Sequence, residues 1–111
     1  MFYKINSYAE FLKIVEEAPA LLAYFSTEAC NVCKVLKPKV GELIDNEFPK
    51  IKMVYVQTDQ LPEVAAQNRI FAVPTILIYF DGREYIRKSR NIGIAELQQE
   101  IDRPYSMFFA E

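Results

Sequence analysis

Histidine and tryptophan are absent from this chain of 111 residues, which also has only two cysteines and three glycines. Without histidine, the chain has no Ser-His-Asp or Cys-His catalytic arrangement and no imidazole ligand for a metal. Two cysteines alone do not supply the four ligands of a zinc or iron–sulfur site. No apolar run approaches the roughly 20 residues that a membrane-spanning helix needs. These absences exclude the most familiar catalytic triads and metal centres.

Neither sign of charge is in large excess: 13 basic and 15 acidic residues give a formal net charge of −2. Such a balance gives no electrostatic reason to expect nucleic acid or an anionic membrane as a partner. A hydrophobic content of 51% predicts a single domain over residues 1–111 with its own core. The first six residues lack the charged and apolar regions of a signal peptide, so we expect a cytoplasmic location. Disulfides in that compartment are usually transient and catalytic.

The two cysteines, Cys30 and Cys33, lie between an apolar run, Leu21–Phe25, and a helical pattern, Lys34–Phe48. Residues three apart on a helical turn have α-carbons roughly 5–6 Å apart, which suits a disulfide. A cross-link stabilises a protein chiefly by restricting the unfolded chain, so a bond that closes so short a loop adds little stability. The spacing therefore favours a reversible dithiol–disulfide couple over a structural brace.

The position of the pair at the start of a helix assigns the two sulfurs different roles. A helix N-terminus stabilises a thiolate, and cysteines in such motifs often have a pKa of about 3.5–7.5 instead of about 8.5. Cys30 comes first and should be the more exposed, so we assign it as the nucleophile. Cys33 falls on the apolar face with Leu36 and Val40, and we assign it as the resolving thiol. Two other interpretations stay open: ordinary core cysteines, and a metal site completed by another chain or by carboxylates.

Apolar periodicity and turn signals predict elements in the order β-α-β-α-β-α-β-β-α. We expect helices at residues 7–17, 34–46, 62–68 and from 93 onward, and strands at 2–5, 20–25, 51–56, 75–80 and 83–88. Crossover helices imply parallel strands, and the Asp81-Gly82 turn implies an antiparallel hairpin. The prediction is an α/β fold in which a central mixed sheet of four to five strands has helices on both faces.

Two prolines fall inside helical patterns. Pro38 should kink the cysteine helix, and the apolar residues that follow at helical spacing indicate that the helix continues past it. Pro104 should end or bend the last helix at Arg103. The apolar tail at residues 105–111 is then expected to pack back on the domain.

Taken in order, these features resemble the thioredoxin family over about residues 7–101. The residues that carry the resemblance follow the first apolar strand; they are Cys30-Asn31-Val32-Cys33, Pro38, Val73-Pro74-Thr75, Asp81-Gly82 and Gly93. The resemblance implies a thioredoxin fold with a cis bond between Val73 and Pro74, placed beside the sulfurs. It also implies a substrate-binding surface around Cys30, formed by Ala29, Asn31, Val73, Pro74, Ile92, Gly93 and Ile94. The backbone of Val73 would pair with an extended substrate as an added strand, and Gly93 also suits the N-cap of a helix.

The chain departs from the family at four places around the cysteines. Ala29 stands where thioredoxins usually have tryptophan, and Asn31-Val32 replaces Gly-Pro. Tyr24 and Tyr55 stand where the family has a buried aspartate and its lysine partner. Because a tyrosine is a poor base at neutral pH, we predict slower resolution of the mixed disulfide. Glu28 could partly substitute as a base, although a solvated charge is the simpler interpretation.

Two functions follow as hypotheses. The first is a thiol–disulfide oxidoreductase that reduces protein disulfides through Cys30 and Cys33. A reductase or a low-molecular-weight thiol would recharge it, and it would need no metal and no cofactor beyond the redox-active disulfide. The second is a binding module, redox-inactive or weakly active, that holds a protein partner in the groove beside Pro74. The intact cysteine pair favours the first, and a monomer is expected in preference to a dimer.

Overall fold

The elements follow the predicted order, and this computed structural model describes residues 1–110. Residue 111, the last residue of the predicted single domain, lies outside the described residues. The strands are β1 (Phe2–Lys4), β2 (Ala20–Ser26), β3 (Lys52–Gln57), β4 (Thr75–Phe80) and β5 (Arg83–Ser89). The helices are α1 (Tyr8–Glu17), α2 (Asn31–Glu47), α3 (Pro62–Gln67) and α4 (Ile94–Phe108). The predicted boundaries of the central strands agree with these to within a residue.

The strands form one mixed sheet in the order β1-β3-β2-β4-β5. β1 and β2 pair with β3 in parallel, whereas β4 runs antiparallel to both β2 and β5. β2 occupies the centre, and all seven of its residues are buried. An uninterrupted apolar run suits this position because a central strand with both faces covered has no solvent side to be polar on. The predicted α/β class and mixed sheet are confirmed.

Helices cover both faces of the sheet. Leu22 and Tyr24 of β2 lie in one apolar cluster with residues of α2 and α4. Leu21 and Phe25 lie in a second cluster with residues of α1 and α3. The alternation follows from the two-residue period of a strand, which sends successive side chains to opposite faces. The C-terminal end of β2 therefore opens between these layers directly into the cysteine segment.

α2 and α4 both continue past their internal prolines, so Pro104 does not end its helix, which was one of the two outcomes predicted for it. α2 continues through Pro38, as its apolar spacing indicates. α4 does not end at Arg103, because it continues through Pro104 to Phe108. The prediction of an end was wrong because the last turn is held by tertiary contacts: the ring of Tyr105 packs 5.0 Å from that of Phe48. The described part of the tail, residues 105–110, packs back on the domain as expected, through Tyr105, Phe108 and Phe109. Within residues 1–110, no helix is both long enough and apolar enough to cross a membrane.

Candidate active site

Cys30 and Cys33 form a disulfide at the N-terminus of α2. Cys30 is the N-cap residue and Cys33 lies in the first turn, with their α-carbons 5.3 Å apart. Cys30 is partly exposed, whereas Cys33 is only 2% exposed. The predicted geometry and the predicted order of exposure are both confirmed.

One backbone amide is directed at the sulfur of Cys30. The chain turns after β2, where the N–H of Cys30 donates to the carbonyl of Thr27 at 3.3 Å. The N–H of Cys33 then donates to Sγ of Cys30 at 3.1 Å, so that sulfur occupies the position of a capping oxygen. An N–H aimed at the sulfur, together with the positive end of the helix dipole, favours a negative charge there. The local fold therefore prepares Cys30 to be a thiolate once the bond is reduced.

The resolving side of the pair has a different environment. The hydroxyl of Tyr24 donates to the backbone carbonyl of Cys33 at 2.7 Å. Burial, with a smaller contribution from nearby Tyr55, raises the pKa of Tyr24 well above its ordinary value, so the phenol is a donor and not a base. Within residues 1–110 the fully buried polar side chains, tyrosines aside, are Ser26, Gln57 and Thr75. The described core thus holds no carboxylate that could take a proton from Cys33.

A lysine that the sequence reasoning missed approaches this region from α2. Nζ of Lys37 lies 3.9 Å from the ring centroid of Tyr55 and 5.4 Å from that of Phe2. Partial burial lowers the pKa of Lys37. Tyr55 takes the position where the resemblance implies a lysine, so the positive charge here comes from a helix instead of a strand. The sequence did contain a signal for this contact: Lys37 is four residues after Cys33, which places both on the same side of a helix.

The loop before β4 lies at the same end of the sheet as the cysteines. The bond between Val73 and Pro74 is cis, as the resemblance implies. Thr75, the first residue of β4, pairs with Phe25 on one side and with Ser89 on the other. The carbonyl of Pro74 accepts a hydrogen bond from the N–H of Arg90 at 2.8 Å. These contacts fix the loop where β2 leads into the cysteine turn.

The remaining predicted surface residues lie in the cysteine turn and at the start of α4. Ala29 and Asn31 are exposed on either side of Cys30. Ile92 and Ile94 are partly buried against the same apolar cluster that Cys30 and Val73 contact. Gly93 is the N-cap of α4 and has an ordinary φ of −88°. A Cβ added there would meet only the Glu96 Cβ at 3.9 Å, so the capping role accounts for its position and its backbone does not require glycine.

The chain is similar to known proteins over most of its length. The family model described as Thioredoxin matches residues 3–103. The chain belongs to the thioredoxin family. It is 33% identical to the thioredoxin-like protein YdfQ of Bacillus subtilis over 88 residues, which cover 79% of this chain and 78% of that protein. Family membership and the Cys30–Cys33 disulfide together make the protein a thiol–disulfide oxidoreductase.

Solved structures of thioredoxins superpose on most of the chain. The thioredoxin of Fasciola hepatica is 28% identical, with a TM-score of 0.80 over 93% of this chain and 98% of that one. The thioredoxin of Plasmodium falciparum is 25% identical, with a TM-score of 0.81 over 90% of this chain and 96% of that one. The architecture is thus the thioredoxin fold. Within residues 1–110, no group of three or more His, Cys, Asp or Glu side chains could hold a metal ion.

Proposed function

We propose that this thioredoxin-family protein reduces disulfides in protein substrates, with Cys30 as nucleophile and Cys33 as resolving thiol. The contact that carries the assignment is the hydrogen bond from the N–H of Cys33 to Sγ of Cys30. It supports a thiolate on the sulfur that is partly exposed, while the other sulfur is buried one turn inside. Only an accessible thiolate can attack a substrate disulfide.

The reaction proceeds as two exchanges. Cys30 thiolate attacks one sulfur of the substrate disulfide, and the other substrate sulfur leaves as a thiolate that takes a proton from solvent. Cys33 then loses its proton and attacks Sγ of Cys30 in the mixed disulfide, releasing the second substrate thiol. The product is the Cys30–Cys33 disulfide, the form that this structure has. Two electrons have moved to the substrate, and two must be returned by a donor.

A surface for an extended substrate supports this scheme. Within residues 1–110, neither the N–H nor the C=O of Val73 pairs with another backbone group, whereas the neighbouring Pro74 carbonyl is occupied. A substrate strand could therefore pair with Val73 as β-augmentation. Ala29, Asn31, Pro74 and the segment Ile92–Ile94 would form the walls around the sulfurs.

The reaction also needs an electron donor and a compartment. The electron donor would be a reductase or a low-molecular-weight thiol, and the redox-active disulfide would be the only prosthetic element, with no metal. We propose a cytoplasmic monomer of one domain that contributes to redox homeostasis and electron transport, and that uses neither nucleic acid nor membrane as a partner. The absence of a strong net charge supports the last point.

Single-cysteine variants test the assignment. Cys33→Ser should accumulate a mixed disulfide with a disulfide-bonded polypeptide, detected by non-reducing electrophoresis and mass, because the second exchange is blocked. Cys30→Ser should trap nothing and lose all turnover. Covalent trapping through Cys33 in Cys30→Ser would reverse the roles. A wild-type protein without turnover, whose Cys30→Ser variant still holds a partner, would instead indicate a binding module.

A redox titration then separates the possible roles of the oxidoreductase. The protein is equilibrated in graded thiol buffers and the two states are counted by alkylation and mass. A midpoint near about −270 mV supports a general reductase, and one nearer about −120 to −180 mV points to an oxidant or isomerase. A pair that never opens or closes over this range would refute the proposed chemistry.

A further inference from the structure

An open groove of about 620 Å³ lies beside the loop that carries Val73 and Pro74. Its walls include three arginines, Arg69, Arg87 and Arg90, and the aromatic ring of Phe71. Glu84 is its acidic residue. We call it the arginine groove. Such a concentration of positive charge is unexpected in a chain whose net charge is −2.

Arg87 and Glu84 neutralise one another and build the floor of the groove. Nε and Nη2 of Arg87 donate to the two carboxylate oxygens of Glu84 at 2.9 and 2.8 Å. The same guanidinium donates to the backbone carbonyls of Asn68 and Arg69 at 3.0 and 3.3 Å. Arg87 therefore ties β5 to the end of α3, and its charge is satisfied internally.

Arg69 and Arg90 have no direct partner for their charges within residues 1–110, although Glu84 lies within electrostatic reach of Arg69. Both are exposed, and neither guanidinium makes a hydrogen bond or ion pair within residues 1–110. Both also have positive φ angles, 54° and 62°, a left-handed conformation that is uncommon for residues other than glycine and asparagine. The backbone N–H of Arg90 donates to the carbonyl of Pro74, so the residue that carries this charge is anchored beside the substrate loop.

Phe71 adds an apolar contact at the same place. Its side chain is 88% exposed, although it is a large aromatic residue two positions before Val73. An exposed aromatic ring makes few contacts in the free protein, so it loses little when a partner binds. It then gains contact area with that partner. The groove thus combines an exposed apolar ring with two exposed cations, next to the loop that leads to Val73.

We propose that the arginine groove selects protein disulfides whose half-cystine is flanked by acidic residues and an apolar side chain. This inference rests on the proposed function, since the groove would act on the substrate that Cys30 attacks. Arg69 and Arg90 would meet the carboxylates and Phe71 the apolar side chain. Exposed charges of this kind act mainly on encounter rate and specificity.

The test compares two cystine peptides of identical length that differ only in having acidic or basic residues beside the half-cystines. A small uncharged disulfide serves as a third substrate. Each is given to the wild type, to the double variant Arg69→Gln/Arg90→Gln and to Arg83→Gln. Arg83 is a matched control because it is exposed and lies at the opposite end of the β4–β5 hairpin, paired with Phe80.

The wild type should reduce the acidic peptide with a kcat/KM about 3–10-fold above that of the basic peptide at low salt. The double variant should lose this preference, and so should the wild type at 1 M salt, where the Debye length is only about 3 Å. Arg83→Gln should retain it. Phe71→Ser should lower kcat/KM for both peptides equally, because an apolar contact does not distinguish their charges.

The small disulfide separates a loss of the cysteine chemistry from a loss of selectivity at the groove. Its turnover should be the same in the wild type and the double variant, which confirms that the cysteine chemistry is intact. Absence of turnover with every substrate would refute the proposed function itself. Normal turnover of the small disulfide with no preference between the peptides would overturn the inference about the groove alone. A dimer in sedimentation that the double variant abolishes would also overturn it, since the occupant would then be a second copy.

Discussion

The step that releases the mixed disulfide should depend steeply on pH in this protein. Resolution requires Cys33 to lose a proton before it attacks Cys30. Tyr24, which lies at the position of the family's buried aspartate, donates its hydroxyl to the carbonyl of Cys33. No carboxylate is fully buried within residues 1–110. We therefore expect the proton to go to solvent and the rate to follow the ionised fraction of the thiol.

The expected magnitude follows from ordinary ionisation. At a pH well below the pKa of a thiol, about 8.5 when the thiol is free, the ionised fraction rises about tenfold for each pH unit. The resolution rate should thus rise by up to about tenfold per pH unit between pH 6 and pH 8. Because burial raises the pKa of Tyr24 above its ordinary value, its phenol stays protonated throughout this range. It adds no step of its own to the profile.

Rapid mixing followed by acid quench measures this step. Reduced protein is mixed with a disulfide-bonded polypeptide, and the mixed disulfide is quantified by mass at intervals over pH 6–8. We expect it to accumulate at pH 6 and to disappear progressively faster toward pH 8. Tyr24→Phe should show the same slope, because the phenol does not act as a base.

A pH-independent rate, or no accumulation of mixed disulfide at pH 6, would refute this reasoning. Either result would mean that another group accepts the proton. Glu28, exposed two residues before Cys30, is the residue to examine. If Glu28→Gln then restored the steep slope, the general base would be identified and Glu28 would have a catalytic role. If the slope stayed flat, the solvent-proton account would still be wrong and the acceptor would lie elsewhere.

Three further predictions concern stability. Deleting residues 105–111 should lower the free energy of unfolding by about 2–4 kcal/mol, because Tyr105 loses its ring contact with Phe48 and its hydrogen bond from the N–H of Lys50; an unchanged denaturation midpoint would contradict this. Burial raises the pKa of Tyr79 to about 12, so the neutral phenol favours the folded state. That contribution is complete below about pH 10 and is lost as the pH rises toward 12; denaturation at several pH values should show a weaker alkaline decline in Tyr79→Phe. Gly82 has a φ of +76°, and Gly82→Ala should cost about 1 kcal/mol in chemical denaturation, whereas an equal midpoint would show that the turn relaxes.

Local sequence signals predicted most of the fold because they agree with the tertiary structure. The apolar run in β2 matches its central position, and the Asp81-Gly82 turn has both residues at positive φ, 56° and 76°. Pro38 and Pro104 show where such signals stop. Each removes a helical hydrogen bond in the same way, and the helical spacing of the apolar residues after Pro38 correctly indicated that α2 continues. α4 continues instead because Tyr105 contacts Phe48. These two residues are distant in sequence, so a prediction from local sequence does not detect their contact.

The site was predicted in part for a similar reason. The exposure of Cys30 and Cys33 follows from their spacing at a helix start, whereas their roles stay a prediction, and the cis bond at Pro74 followed from the family resemblance. The contacts of Tyr24 with Cys33, and of Lys37 with Tyr55, were not foreseen. Both join a strand to helix α2, and they depend on how strand and helix are oriented rather than on the period of either one.

The hydrogen bond from Lys50 to Tyr105 spans 55 positions of the chain, and this has a consequence for synthesis. At about 5–20 residues per second, a ribosome makes Tyr105 about 3–11 s after Lys50. During that interval the ring of Phe48 has no Tyr105 to cover it, and afterwards Tyr105 must still leave the exit tunnel. The nascent protein therefore completes this side of its core only once Tyr105 has left the tunnel, and we expect chaperones that recognise apolar surface to meet Phe48 before then.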